Sequence, residues 1–202
     1  MDNIKPYQEK NTQNKIRLHS NESPYNNLPL LLKELEATLT SLNINEYPSL
    51  NADQLKLTLA QTHGISSENI IVGNGSDELI MYVMQRFLNP NDVLVTHTPT
   101  FSQYAWNASL LRSNLIEVKD KPYYEIDVDE LIEACNQNNA KLCIVCTPNN
   151  PTGAVISHDD LKRLHDKTSS YIMVDEAYLD FVNQNYQSLV LESPRIDRKS
   201  VV

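Results

Sequence analysis

Two carboxylates directly follow an apolar run in the segment "YIMVDEAY". The pattern of Tyr171–Val174 predicts a buried strand, and Asp175 and Glu176 come immediately after it. An ionised carboxylate removed from water is costly unless a cation or hydrogen-bond donors accompany it. The strand therefore either reaches the surface at once or ends against a fixed positive charge.

The segment "GNGSDE", residues 73–78, follows the apolar run "NIIV" and could hold a phosphate group. Its two glycines permit a tight turn, and Ser76 and Asp77 open a helix whose free N–H groups attract anions. A capping turn with Ser76 as the N-cap explains these residues equally well. The segment lacks the third glycine of a dinucleotide fingerprint and the lysine of a P-loop.

Two further segments follow predicted strands. "TPTFSQY" places Phe101 and Tyr104 after "DVLVTH", where an aromatic ring either stacks on a flat ligand or packs into the core. "TPNNPTG" follows "KLCIVC", and its prolines and glycine predict a rigid, irregular turn. The two asparagines of that turn offer uncharged amide donors to a ligand.

Short apolar runs alternate with amphipathic segments from residue 69 onward, which is typical of β-α-β units and a mostly parallel sheet. Strands are predicted at "NIIVG", "DVLVTH", "NLIEVK", "KLCIVC" and "YIMVD", with an incomplete one at "DRKSVV". Two helices, "PLLLKELEATLTSL" and "ADQLKLTLAQTHG", precede them. We therefore expect an α/β fold of three layers, α/β/α, in which the loops that carry these motifs converge at the carboxyl edge of the sheet.

The composition excludes several classes of partner. The chain of 202 residues has 26 acidic and 17 basic side chains, and no basic stretch that nucleic acid or an anionic membrane would need. It has no apolar segment of membrane-spanning length, and the polar first 28 residues lack a secretory signal, so we expect a cytoplasmic protein.

Three cysteines are too few, and odd in number, for a disulfide framework. Cys143 and Cys146 form a C-x-x-C motif, but it lies on a predicted strand. We interpret the two as small buried residues rather than as a redox or metal pair, and we expect no metal site.

Six motifs, taken in order, resemble the fold-type I pyridoxal-phosphate aminotransferases, most closely the histidinol-phosphate aminotransferases: "NESPY", "EYPS", "GNGSDE", "PTFSQY", "TPNNPTG" and "VDEAY". The resemblance runs from about residue 16 to the C-terminus. It implies the large domain of the pyridoxal-phosphate-dependent transferase fold, incomplete at its C-terminus. Residues 1–45 would form an N-terminal arm with the first helix, and residues 46–202 a partial cofactor-binding domain.

The resemblance also implies roles for residues around the cofactor ring. Asp175 would meet the pyridine nitrogen and keep it protonated. The ring nitrogen would then be the positive charge against which the strand ends. Asn150 and Tyr178 would hydrogen-bond the 3-hydroxyl oxygen, and Phe101 would stack on the ring.

Other residues would hold the phosphate and the substrate. Gly75, Ser76 and Asp77 would present backbone N–H groups to the cofactor phosphate. Tyr47 resembles a tyrosine that reaches the phosphate of a neighbouring subunit, so the resemblance implies a homodimer. Asn21 and Glu22 resemble arm residues that close over the substrate.

The chain departs from the family where the chemistry requires a lysine. The Schiff-base lysine belongs to a Ser-Lys motif about thirty or more residues beyond Asp175, and the sequence stops at Val202. Lys199 has no preceding serine, and we expect it not to be the nucleophile. We therefore expect no catalytic residue in this chain, which also lacks the family's C-terminal small domain and would be inactive by itself.

The resemblance implies amino transfer between an imidazole-bearing amino alcohol phosphate and 2-oxoglutarate. An aromatic amino acid transaminase or a phosphothreonine decarboxylase would look similar over these residues. A non-catalytic remnant of an aminotransferase is a further alternative. A generic nucleotide-binding domain explains "GNGSDE" but leaves "NNPTG" and "VDEAY" without a role.

Overall fold

The computed structural model describes residues 20–193 and 195–199, the last three of these by their backbone. Most of the predicted polar arm and the end of the strand predicted at "DRKSVV" lie outside the described residues. The chain forms two compact units that divide between Ile71 and Val72. The division predicted after residue 45 stays a prediction.

The first unit contains two helices and a short 3-10 helix. Helix α1 spans Leu28–Ser41 and has Pro29 in its first turn, where a missing N–H costs nothing. Helix α2 spans Asp53–His63, which confirms the helix predicted there, and Gly64 ends it in left-handed geometry with φ 65°. The 3-10 helix covers Ser67–Asn69. No residue of α1 is buried.

The second unit contains a sheet of five parallel strands in the order β2-β1-β3-β4-β5. The strands are β1 (Val93–Thr98), β2 (Asn114–Lys119), β3 (Leu142–Cys146), β4 (Tyr171–Asp175) and β5 (Ile196–Lys199). The chain moves from β1 outward to β2 and then crosses to β3 on the other side of β1. The strand order therefore reverses between β1 and β3, where parallel sheets open a crevice for ligands.

Helices cover both faces of this sheet: α3 (Gly75–Phe87), α4 (Gln103–Leu111), α5 (Val128–Gln137), α6 (His158–Lys167) and α7 (Gln187–Glu192). One core holds buried residues of α3 and α4 together with Leu142 and Ile144 of β3. The other core holds buried residues of α5, α6 and α7 together with Cys143 and Val145. Alternate residues of β3 thus face opposite cores, and the predicted α/β/α fold is confirmed.

The strand predicted at "NIIVG" is wrong. Residues 70–73 adopt no regular secondary structure, and the side chain of Ile71 is 76% exposed. A strand needs a neighbour to take up its N–H and C=O groups. Within the described part of the chain, no strand pairs with this segment, so its apolar pattern does not produce a strand.

The C-x-x-C motif lies on β3, where period-2 alternation separates the two thiols. Cys143 belongs to the core under α5 to α7, and Cys146 to the core under α3 and α4. The two sulfurs cannot reach one metal ion from opposite faces of a sheet. Both cysteines are buried and neither is in a disulfide, and the same holds for Cys135. The interpretation of Cys143 and Cys146 as buried core residues is confirmed.

Across residues 20–193 and 195–199, none of the helices has both the length and the apolar character needed to cross a membrane.

Candidate functional site

The carboxyl edge of the sheet collects the motifs that follow the strands. Asp175 is the last residue of β4 and lies in register with Cys146, the last residue of β3. The segment "TPNNPTG" follows β3, and "PTFSQY" follows β1. The two segments therefore lie on opposite sides of the point where the strand order reverses. Helix α3 ends at Phe87, shortly before β1 begins at Val93, so its first turn also lies at the carboxyl edge.

Asp175 is buried, and its carboxylate is held by hydrogen bonds from the protein. The hydroxyl of Tyr104 donates to Oδ2 at 2.7 Å, and the backbone N–H of Ala177 donates to Oδ1 at 3.2 Å. Only 2% of Asp175 and none of Tyr104 is exposed. The strand therefore does not deliver the carboxylate to bulk water. Of the two outcomes that the sequence left open, the one in which the strand reaches the surface at once is wrong.

The phenol of Tyr104 stays protonated in this environment. Burial raises its pKa far above the ordinary value, and the nearby negative charge of Asp175 raises it further. Tyr104 is thus a permanent hydrogen-bond donor to Asp175. Its ring also meets the ring of Phe101 edge to face, with centroids 5.8 Å apart.

The two asparagines of "TPNNPTG" have different environments. Asn149 is buried, and its side chain accepts a hydrogen bond from Thr100 at 2.7 Å and donates to the Pro99 carbonyl at 2.8 Å and the Thr152 hydroxyl at 2.7 Å. Its backbone bonds Ala154 and Gly153. The polar groups of Asn149 are therefore used to fix this loop and to join it to the loop after β1.

Asn150 is only half-buried, and its side chain has no hydrogen-bond partner among the residues that the structure describes. A polar amide at the reversal of strand order, free of protein partners, is available to a ligand. The family resemblance implies the ligand-binding role for Asn150, and the bonds of Asn149 explain why the first asparagine is not available for it.

The first turn of α3 is arranged differently from the predicted capping turn. The helix begins at Gly75 with Asn74 as its N-cap, so Ser76 is not the cap. Gly75 has φ +73°, a conformation that favours glycine, and its N–H donates to the Gly73 carbonyl. The N–H groups of Ser76 and Asp77 remain as the first-turn donors that helix geometry leaves unpaired.

Glu78 closes the "GNGSDE" loop from inside the same helix. Its carboxylate accepts the backbone N–H and the side-chain amide of Asn74, and it also accepts the hydroxyl of Tyr82 at 2.7 Å. The hydrogen bond from Tyr82, followed by that from the Asn74 backbone, lowers the pKa of Glu78. The charge of Glu78 is thus used within the loop, and it fixes the turn that precedes the first-turn donors.

The remaining predicted residues have varied positions. Tyr178 is half-buried three residues beyond Asp175, and its ring centroid lies 6.4 Å from that of Phe181. Phe101 is half-buried in the loop between β1 and α4. Tyr47, Asn21 and Glu22 belong to the first unit and are exposed, Tyr47 completely. The functional roles of all these residues stay predictions.

Sequence reasoning missed two buried residues of this edge. Tyr104 was placed at the carboxyl edge, but no partner was predicted for its hydroxyl. Glu176, the residue after Asp175, is also buried, with 1% of its surface exposed. Nothing in the chain order could pair Tyr104 with Asp175, because 71 residues separate them.

Comparisons with known proteins agree with this architecture. Residues 13–201 match the model of the family described as aminotransferase class I and II. Histidinol-phosphate aminotransferase from Thermoanaerobacter pseudethanolicus is 32% identical over 94% of this chain and 54% of its own length. That of Caldanaerobacter subterraneus is 34% identical over 96% of this chain and 54% of its own length.

Solved structures show the same fold at lower sequence identity. Histidinol-phosphate aminotransferase from Sinorhizobium meliloti, in complex with pyridoxal-5'-phosphate, superimposes with a TM-score of 0.77 and 19% identity, covering 88% of this chain and 48% of that one. Aspartate aminotransferase from Thermotoga maritima gives 0.79 and 22%, covering 92% and 53%. The chain spans about half the length of the curated relatives it matches. By its family match and these relatives, the chain belongs to the aminotransferase class I and II family.

Proposed function

We propose that this chain is the cofactor-binding part of a pyridoxal-phosphate-dependent aminotransferase that moves the amino group of histidinol phosphate to 2-oxoglutarate. The observation that carries the proposal is the buried carboxylate of Asp175, held by Tyr104 at the carboxyl edge of the sheet. The names of the relatives support the choice of substrate.

The residues present fit pyridoxal phosphate. A buried carboxylate matches a protonated ring nitrogen, because an ion of opposite charge offsets the cost of its desolvation. The partner-free amide of Asn150 matches a ring oxygen, and the first turn of α3 matches a phosphate. Bound pyridoxal phosphate would supply an electron sink for the bond electrons left when a substrate loses its α-proton.

The chain's own residues would bind and orient the group. Asp175 would hold a positive charge at the ring nitrogen, and Asn150 would donate a hydrogen bond to the 3-hydroxyl oxygen. Tyr178 would bond the same oxygen, and Phe101 would cover one face of the ring. Ser76 and Asp77 would donate their backbone N–H groups to the phosphate, whereas the N–H of Gly75 is already used.

We assign the proton transfer to no residue of this chain. The Ser-Lys motif that the family uses is not present after Asp175 in these 202 residues. The proposed activity is therefore that of a protein in which a lysine outside this sequence joins the residues described above.

The proposal extends to assembly and location. Tyr47 would reach the phosphate of a second subunit, and its full exposure is compatible with such a contact. Asn21 and Glu22 would close over the amino donor. The protein would work in the cytoplasm, which the buried cysteines Cys135, Cys143 and Cys146, none of them in a disulfide, support.

The experiment loads the protein that contains this chain with pyridoxal phosphate and follows glutamate formed from 2-oxoglutarate, with histidinol phosphate as the amino donor. Aromatic amino acids serve as competing donors, and phosphothreonine is tested for release of carbon dioxide. Preference for histidinol phosphate is the expected result. Preference for an aromatic donor, or decarboxylation of phosphothreonine, would contradict the proposed substrate.

A further inference from the structure

We infer that Tyr104 is a positioning residue, which holds the Asp175 carboxylate in the orientation that the cofactor's ring nitrogen requires. The inference rests on the function proposed above and adds a residue to which no role has been assigned. Tyr104 lies on α4, Asp175 ends β4, and the 2.7 Å hydrogen bond between them crosses the core of the sheet's α3/α4 face.

The two oxygens of Asp175 have different donors, and this fixes the rotation of the carboxylate. Oδ2 accepts the Tyr104 hydroxyl, and Oδ1 accepts the N–H of Ala177. Without the phenol, the bond to Oδ2 is lost and only the donor on Oδ1 remains of these two. The carboxylate would then be held less firmly in one rotation about its bond to Cβ, and a ring nitrogen would meet it in a less defined orientation.

The phenol also keeps its own proton while it donates to Asp175. A proton on a bound pyridine nitrogen would face the carboxylate that this bond orients. Tyr104 cannot itself take up or release that proton at ordinary pH, since burial and the charge of Asp175 raise its pKa strongly. It acts through Asp175 and is not a catalytic residue.

A purely structural role for Tyr104 makes a different prediction. The ring fills the core beside Met173 and Ala108, and Tyr104→Phe keeps that ring while it removes the hydroxyl. If the hydroxyl served folding alone, the variant would lose stability but would leave the bound cofactor unchanged. The state of the ring nitrogen therefore distinguishes the two roles.

The test uses pyridoxamine 5'-phosphate labelled with ¹⁵N in the ring, because this amine form binds without a Schiff-base lysine. Its dissociation constant and ¹⁵N chemical shift are measured with the unchanged chain, with Tyr104→Phe and with the control Tyr171→Phe. Tyr171 lies at the opposite end of β4 and packs against Phe87. Tyr171→Phe thus also removes a tyrosine hydroxyl, but at the end of β4 that lies away from the carboxyl edge.

We expect Tyr104→Phe to weaken binding about three- to tenfold, which corresponds to about 0.7 to 1.4 kcal/mol. The ¹⁵N signal should move toward that of neutral pyridine, and Tyr171→Phe should change neither quantity. An unchanged dissociation constant and ¹⁵N shift in Tyr104→Phe would overturn the inference. If the unchanged chain shows no saturable binding, the proposed function fails and the inference falls with it.

A second variant covers the case in which Tyr104→Phe does not fold. 3-Fluorotyrosine at position 104 keeps the size and the hydroxyl but donates a stronger hydrogen bond. We expect the ¹⁵N signal to move in the opposite direction, toward a more fully protonated ring. No change in that signal would overturn the inference.

Discussion

At the scale of single residues, neighbouring side chains of one type have different tasks. Asn149 is buried and fully bonded, whereas Asn150 is half-buried and without a described partner. The loop "TPNNPTG" thus uses its first asparagine to fix its shape and presents the second to a ligand. Tyr104 and Asp175 differ in the same way: Tyr104 holds the carboxylate by a hydrogen bond, and Asp175 is the residue proposed to meet the ligand.

This division predicts opposite results for two alanine variants. Asn149→Ala should lower the free energy of unfolding by about 1–3 kcal/mol, because it leaves the Thr100 and Pro99 groups unpaired. Asn150→Ala should change it by less than about 0.5 kcal/mol and should weaken binding of pyridoxamine 5'-phosphate. Urea unfolding and a binding titration measure the two quantities. Equal loss of stability in both variants would contradict the assignment.

At the scale of elements, a buried hydrogen bond between His97 and Asp120 ties β1 to the residue that follows β2. His97 Nδ1 lies 3.0 Å from Oδ1 of Asp120, and both side chains are at most 1% exposed. Burial lowers the pKa of His97 to about 4. Burial, followed by the charge of Asp127, raises the pKa of Asp120 to about 7. These shifts have opposite effects on the dependence of stability on pH.

The folded pair therefore binds one proton between about pH 4 and 6.5, on Asp120, and the unfolded pair also binds one, on His97. Equal proton numbers mean that the pair contributes little pH dependence in this range. In Asp120→Asn, His97 is left alone with a depressed pKa. The stability of this variant should then fall by about 1–3 kcal/mol as the pH drops from 6.5 to 4.

Urea unfolding at several pH values measures this difference between the unchanged chain and the variant. Asp129→Asn is a suitable control, because Asp129 lies on the surface in an ion pair with Arg163. A slope in Asp120→Asn no steeper than that of the unchanged chain would contradict the assigned proton positions.

Elements were predictable where the local pattern decides them. Strands β1 to β4 and helices α1 to α6 follow from periodicity and capping, as Gly64 shows. The strand at residues 70–73 was mispredicted, because pairing depends on a neighbour and not on the segment itself. Helix α7 was missed because six residues give little periodicity. Tyr186 before it is anchored by contacts with Ile156 and Thr147, which are distant in sequence.

The position of the site could be predicted from the sequence, but the contacts within it could not. The types and order of Asp175, Asn150 and Phe101 place them at one edge of a parallel sheet without knowledge of any contact. The bond between Tyr104 and Asp175 depends on how α4 packs on the sheet, which no local pattern encodes. The same holds for the bonds of Asn149 with Pro99 and Thr100, which join two loops about 50 residues apart.

At the scale of the whole molecule, helix α1 presents an apolar surface. Seven leucines on or next to α1 have between 42% and 78% of their side chains exposed: Leu28, Leu30, Leu31, Leu32, Leu35, Leu39 and Leu42. A surface this apolar is a site of association in water. It is consistent with the proposed homodimer and also with aggregation of the isolated chain.

We expect the chain to associate as its concentration rises, and we expect Leu35→Glu to weaken that association at least tenfold. Sedimentation velocity over a concentration series measures it. Glu34→Gln, a change at a neighbouring polar position of α1, is the control for altered charge. A chain that stays monomeric at high concentration would contradict the prediction.

The central claim is that Asp175 ends β4 in a site for pyridoxal phosphate. Equilibrium binding of pyridoxamine 5'-phosphate to this chain tests it most directly, with Asp175→Asn compared against Asp180→Asn, a matched change at an exposed aspartate five residues away. We predict saturable binding at one site, which Asp175→Asn weakens at least tenfold and Asp180→Asn leaves unchanged. Binding that is absent, or equally strong in both variants, would contradict the claim.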